Sequence, residues 1–557
     1  MGGRPTLSQA KSWHPDSLRQ AADAWDAAAM DVRREFDVVV QGIHDTHDFW
    51  AGDAAEAARE RAARTGAEAG RLARALVAAA VAARDGADVI AAARDDVLGT
   101  VAAVQSQGFA VTDDGTVTPP AQPPPAVLAT AGGNMQIAQE VLRSGAEEFT
   151  REIVEKLDAL GAADDDATRD IDEAFHGVTT PQPTAPTGLG DNPVGNWPAM
   201  TQDSIAAQIA AMTPEQRRQL IESYPQQVGN TDGVPWDMRV AANRLNIEQA
   251  ILDGRRELER TQDPTQRDAV QQRIDFYQGL LSEVPDPTGR KGRVDRQILA
   301  FDPGRSSLVE LIGDLSTANN VGVLVPGMNT TMEGSAANTE TATRFVQAAR
   351  GDLAMITYLG GPFPQGGIPD GIDDAMDTDY ATDMAPRLVS FSEDVNRVVD
   401  AMGRDIAVTY VGHSYGGSVL GTAEAMGLTA DRTVYVEAAG AGVGVDDLGD
   451  WHNENPYVMR FSMTAPGDWI EPLQGMPLNP HGADPDEMPG VIRLATGDYD
   501  DGQRMVGWDT HSDVLNEPSD AWRNILAAMT GQPYSVYVDP LKFLPPWAKP
   551  PWLRLTG

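Results

Sequence analysis

Val408-Thr409-Tyr410-Val411-Gly412-His413-Ser414-Tyr415-Gly416-Gly417 decides how the rest of the chain is read. β-branched and aromatic residues lead into G-x-S-x-G, and a small, helix-compatible stretch follows at 418–426. A strand, a sharp turn and a helix in that order form the setting that presents a nucleophilic serine. The turn strains its central residue, and Gly412 and Gly416 leave room where a Cβ would collide. The spacing predicts Ser414 as a nucleophile above a sheet edge. The Tyr415 N–H then faces the space where an oxyanion would form.

Outward from this turn, from residue 296 onward, apolar β-type runs (297–301, 321–325, 353–358, 406–411, 433–437, 458–463, 491–495) alternate with helical stretches (338–350, 386–402, 417–426). Such alternation predicts a mostly parallel, doubly wound sheet with helices on both faces. Runs such as Val-Gly-Val-Leu-Val are apolar on both sides, as a sheet covered on both faces requires.

In this fold function gathers at the carboxyl ends of the strands, and the partners of a serine follow it in the order acid, then histidine. Of the eight histidines, His452, His481 and His511 come after Ser414. His511, on a loop beyond the last strand, is the expected general base, and His481 is the alternative. His413, the variable residue of the turn, is expected to point away from Ser414. Asp468, just past the strand at 458–463, is placed to accept the His511 Nδ1–H and hold its tautomer; Glu437 and Asp484 are its rivals. Val325-Pro326-Gly327-Met328-Asn329 ends a strand where a second oxyanion N–H is supplied, so Met328 is the first choice of donor and Asn329 the second. The insertion at 360–384, rich in Gly, Pro and Asp, reads either as a surface loop or as a lid whose Phe363, Ile368, Ile372 and Met376 would meet an acyl chain.

Residues 200–531 resemble an actinobacterial α/β-hydrolase family that long carried a domain-of-unknown-function label. The residues that carry the resemblance are Val-Gly-Asn-Thr-Asp-Gly-Val-Pro-Trp (228–236) with Arg239 and Ala242-Asn243-Arg244, Val-Pro-Gly-Met-Asn, Gly-His-Ser-Tyr-Gly-Gly, Asp468-x-Ile470, His481-Gly482-x-Asp484-Pro485 and His511-Ser512-Asp513. The resemblance implies an α/β-hydrolase fold similar to that of serine esterases and lipases. It supports His511 as base and gives His481 a structural role beside Asp484. Glu437-Ala438-Ala439-Gly440 departs from the family, which has a Ser-Pro-Gly-like turn there. The expected activity is cleavage of a carboxylic ester, small-molecule or lipid, through Ser414, His511 and Asp468 and an acyl-enzyme. That chemistry needs no metal or organic cofactor.

The N-terminal part differs in kind. Alanine-rich helical periodicity runs through 15–107, breaks at 45–52 and resumes, and a second helical stretch covers 131–175. This pattern predicts an all-α bundle over 1–178, including a small β-hairpin at 109–118 on the Asp114-Gly115 turn. A Pro/Gly-rich linker at 179–200 follows, then the catalytic domain at 201–540 and a Pro/Trp-rich tail at 541–557. Trp50-Ala51-Gly52 at the break resembles the turn of WXG-type helical hairpins associated with type VII secretion. Those proteins carry Y-x-x-x-D or Y-x-x-x-E after the hairpin, and no tyrosine here has an acid four residues later. The resemblance implies pairing with a helical protein or self-association through this domain, and an alternative role as a secretion-associated or effector protein. Asp164-Asp165-Asp166 fails the calcium-loop template, because Thr168 and Arg169 stand where a ligand and a glycine belong.

The chain has 557 residues and a formal charge of −39, which disfavours nucleic acid and anionic membrane surfaces by long-range repulsion. It has no cysteine, so disulfides and thiolate chemistry are excluded. No stretch is apolar for long enough to span a bilayer, and the first residues lack the apolar core of a secretory signal peptide. The expected location is the cytoplasm, or export by a route that does not read such a peptide.

Overall fold

The computed structural model describes residues 3–44, 52–179, 192–366, 372–474, 476 and 479–538. It divides into two compact units, Met1–Pro186 with Ile247–Ser282, and Thr187–Asn246 with Glu283–Gly557.

The first unit is helical. Its long elements are α1 (Asp16–His44), α2 (Asp53–Ser106) and α3 (Met135–Thr179). At 54 residues α2 spans about 80 Å. Ala22, Ala80 and Ala83 meet in a buried seam, where the lack of bulk lets helix backbones approach. Ile153, Leu157, Leu160, Val97 and Val101 form a larger core. The expected hairpin is present as Ala110–Val111 paired with Val117–Thr118, and Gly115 at its turn has φ +87°. The last part of α4 (Trp236–Arg260) and all of α5 (Pro264–Leu281) also belong to this unit; in the sequence reading they fall in a helical N-terminal extension of the catalytic domain at 201–540. Arg255 pairs with Asp26 of α1 at 2.7 Å. Trp50 and Ala51 of the WXG-like turn lie outside the described residues.

The second unit is built on an eight-stranded sheet. In chain order its strands are β1 (Gln297–Asp302), β2 (Ser307–Ile312), β3 (Asn320–Val325), β4 (Leu353–Leu359), β5 (Ala407–His413), β6 (Arg432–Val436), β7 (Met459–Met463) and β8 (Ile492–Arg493). Their spatial order is β8-β7-β6-β5-β3-β4-β2-β1. Pairing is parallel from β8 through β4 and antiparallel at β4–β2 and β2–β1. Alternate residues of each strand face opposite ways. Val321, Val323 and Val325 enter one core with Tyr410, Leu388 and Phe391, while Leu324 enters the other with Val411, Phe345 and Ile525. The first core is covered by α7 (Asp379–Ala401) and α8 (Tyr415–Ala425), the second by α6 (Ala336–Ala348) and α10 (Asp520–Thr530).

Two local readings are corrected. The sequence reading omits β2, because Glu310 interrupts its apolar run. Glu310 is nonetheless buried, held by Arg296 through two bonds of 2.7 Å and by the Thr339 hydroxyl at 2.9 Å. Helix α7 starts at Asp379 and carries Pro386 inside it, seven residues before the expected start at a proline. Of the linker expected at 179–200, residues 180–191 lie outside the described residues, and Val194 and Trp197 are buried with Ile205, Ile209 and Leu220. The tail expected at 541–557 lies outside them too. Among the described residues no helix is long and apolar enough to cross a membrane.

Candidate active site

Strand β5 delivers Ser414 onto a sharp turn with φ +55° and ψ −123°, a conformation that non-glycine residues adopt only when the surroundings enforce it. Here the enforcement is backbone bonding. Ser414 N–H donates to Val436 O at 3.0 Å, and Ser414 O accepts from Gly417 N–H at 3.0 Å and Ala439 N–H at 2.9 Å. The end of β6 thus clamps the turn from both sides. A Cβ on Gly416 would lie 2.1 Å from Val325 O, and one on Gly412 would lie 2.7 Å from Gly416 O. Both positions therefore require glycine.

Asp468 follows β7 and His511 lies in the first turn of α9 (Thr510–Asn516). The two are 43 positions apart, yet His511 Nδ1 is 3.0 Å from Asp468 Oδ1. The Asp468 carboxylate is fully buried. It also accepts from Ile470 N–H at 2.8 Å and from the Thr510 hydroxyl at 3.3 Å. These donors leave the imidazole with its proton on Nδ1 and its Nε2 free to accept. Nε2 is buried and has no hydrogen-bond partner among the described residues. Ser414 and His511 border one cavity of about 540 Å3. Trp469 packs on the His511 ring, with centroids 4.4 Å apart.

The two alternatives for the second oxyanion donor separate. Asn329 N–H donates to Pro364 O at 2.8 Å, so it is engaged elsewhere, and its side-chain oxygen accepts from Gly366 N–H. Met328 stays beside Ser414 and lines the same cavities. His481 does not replace His511. Its Nε2–H donates to Ala375 O at 2.7 Å and its Nδ1 accepts from the Ser418 hydroxyl at 2.8 Å, so both ring nitrogens are occupied. Of the residues expected to meet an acyl chain, Met376 lines a cavity with Ser414 and Phe363 is buried in the sheet core. Ile368 and the Ile372 side chain lie outside the described residues.

A family model described as Alpha/beta hydrolase matches residues 302–477, a stretch that includes Ser414 and Asp468. The C-terminal region is an α/β-hydrolase domain. The chain is 27% identical over 271 residues to two Mycobacterium tuberculosis proteins, Uncharacterized protein MT2140 (strain CDC 1551 / Oshkosh) and Uncharacterized protein Rv2079 (strain ATCC 25618 / H37Rv). The match covers 43% of this chain and 38% of each relative's length. Among solved structures, a hyperthermophilic esterase from the archaeon Pyrobaculum calidifontis aligns at 12% identity over 57% of this chain and 98% of its own, with a TM-score of 0.24. TT1662 from Thermus thermophilus aligns at 14% identity over 36% and 90%, with a TM-score of 0.19.

Two further residues lie beside the Asp468–His511 pair. His413 does not turn away from the site. Its ring lies 5.1 Å from that of His511, and its Nε2–H donates to His511 O at 2.7 Å. Burial, reinforced by the neighbouring imidazole, pushes its pKa down to about 3, so it stays a neutral donor bracing the His511 backbone. Glu437, at the end of β6, is the other. It is fully buried with φ +44°, and accepts from Ala465 N–H at 2.9 Å. Its second oxygen has no partner among the described residues. Burial and then the Asp468 charge hold its carboxyl well above the usual carboxylate range. Donor atoms of Glu437, Asp468 and His511 lie within 4.8 Å of one another.

Asp484, the other rival acid, bonds Asp486 N–H at 2.8 Å and is not bonded to His511. Burial, then the Asp486 charge, raise its pKa to about 6. A carboxyl raised on folding binds its proton more tightly in the native state, so stability falls as pH climbs from about 4 to about 6 and is level above. Asp484→Asn is therefore expected to raise the melting temperature at pH 8, with the gain vanishing by pH 4. Thermal denaturation at both pH values checks this; a gain of equal size at pH 4 contradicts it.

Proposed function

We propose that the second unit is a serine hydrolase that cleaves carboxylic esters by acyl transfer. Ser414 Oγ attacks the ester carbonyl while its proton passes to His511 Nε2, and Asp468 stabilises the imidazolium through Nδ1–H. The alkoxide leaves with the proton from Nε2. Water then attacks the acyl-enzyme, His511 takes its proton, and the acid departs as Ser414 regains one. The N–H groups of Tyr415 and Met328 are the donors to the oxyanion; one such donor is worth roughly 3–4 kcal/mol to the transition state. What supports this reading is a strained serine and an Asp-paired histidine with a buried, unbonded nitrogen on one cavity.

Asp468→Asn tests it. The amide keeps the shape but offers His511 the wrong tautomer, and kcat for p-nitrophenyl acetate is expected to fall about 10⁴-fold. A rate within tenfold of the parent enzyme would mean that Asp468 is not the acid. Glu437, which accepts from Ala465 N–H, is not expected to substitute.

A further inference from the structure

Two cavities of different character meet at Ser414. The smaller gives about 30 Å3 to the centres of water-sized atoms and is walled by Met328, Met376, Trp469, Ile470 and Leu473. The larger gives about 540 Å3 and is lined by polar groups, Asn329, Thr330, Asn338 and Ser512 among them, and about equally by apolar ones such as Leu324, Trp508 and Leu515. Ser414, Met328 and Trp469 border both cavities, whereas His511 is found among the walls of the larger one alone.

This asymmetry assigns the two halves of an ester. The departing alkoxide must take a proton from His511 Nε2, so it has to leave on the side that His511 borders. The acyl group, still bonded to Ser414 Oγ, has the apolar cavity. One water-sized atom needs about 10–15 Å3, so the acyl side holds only a few atoms beyond the carbonyl carbon. The walls that would have to yield for more include Ile470, which is buried, and overfilling a packed site is costly. The alcohol side has ample room and offers hydroxyl and amide groups.

Resting on the ester-hydrolase reading above, we infer that the substrate is a short-chain acyl ester, with an acyl group of about two to four carbons, of a larger, polar alcohol. Long-chain lipid esters are poor substrates for this site.

Rates on p-nitrophenyl acetate, butyrate and octanoate test the acyl half. The octanoate is expected to show kcat/KM at least about 100-fold below the acetate. Leu473→Ala, and independently Met376→Ala, should raise the octanoate-to-acetate ratio at least about tenfold by opening the small cavity. With the acyl group fixed as acetyl, glucose pentaacetate is expected to outpace ethyl acetate at least about tenfold. Fluorophosphonate labelling of Ser414 in the same preparations separates the two levels of the claim. Labelled protein that prefers octanoate, or treats both acetates alike, overturns the substrate assignment and leaves the hydrolase reading standing. Protein that takes no label overturns both.

Discussion

Ser414→Ala is expected to lower kcat/KM on p-nitrophenyl acetate by roughly 10⁶-fold, to the small residual rate that oriented N–H groups and binding alone supply. The effect is this large because the nucleophile, base and acid act as one unit. Without Oγ there is no acyl-enzyme, and neither His511 nor Asp468 retains a task. The backbone clamp on residue 414, formed with Val436 O, Gly417 N–H and Ala439 N–H, does not involve the side chain. Far-ultraviolet circular dichroism of the variant should therefore match that of the parent. A folded variant with more than a tenth of the parent rate would place the chemistry elsewhere.

The second large effect is on stability. Arg239 is almost wholly buried and donates to Leu299 O at 2.8 Å, to Asp232 at 2.9 Å and to Asp394 at 2.9 Å. Asp394, also buried, accepts in addition from Gly233 N–H at 2.9 Å and the Trp236 indole at 2.8 Å. One guanidinium thus joins the turn after Asn230, the start of α4, strand β1 and helix α7. Arg239→Ala leaves a void and takes the shared cation from two carboxylates; Asp394 keeps Arg397 and Asp232 keeps the Ser390 hydroxyl, and removing one partner of a buried pair costs about 3–5 kcal/mol. For a unit of this size that is a fall in melting temperature on the order of 10 °C. Arg239→Lys should fail to restore it, because an ammonium cannot reach three acceptors set for a planar fork. Calorimetry on the three proteins decides this; a lysine variant that melts with the parent would mean that charge alone holds the cluster.

The parts of this molecule that were readable beforehand are those in which one physical constraint dominates. G-x-S-x-G is such a case, since Val325 O and Gly416 O leave no space for a Cβ at Gly416 and Gly412. Asp468 and His511 followed from chain order and strand ends, and they meet at 3.0 Å. What escaped notice depends on a partner remote in sequence. Glu310 made β2 look unlike a strand because its neutralising contact, Arg296, sits just before β1. His413 was set aside as variable, although its role comes from a carbonyl 98 residues away. Glu437 was weighed as the catalytic acid, whereas Asp468 is the carboxylate bonded to His511 and Glu437 lies buried against Ala465 N–H. The 228–236 stretch stood out as a landmark, but its reason, the Arg239 cluster, needed coordinates.

The most direct measurement is intact-protein and peptide mass spectrometry after treatment with a fluorophosphonate, run on the full chain and on Ser414→Ala. The account predicts a single adduct on the parent, carried by the peptide that contains Ser414, formed stoichiometrically and blocked by prior incubation with p-nitrophenyl acetate, and no adduct on the variant. An unmodified parent, or equal labelling of parent and variant, would contradict it.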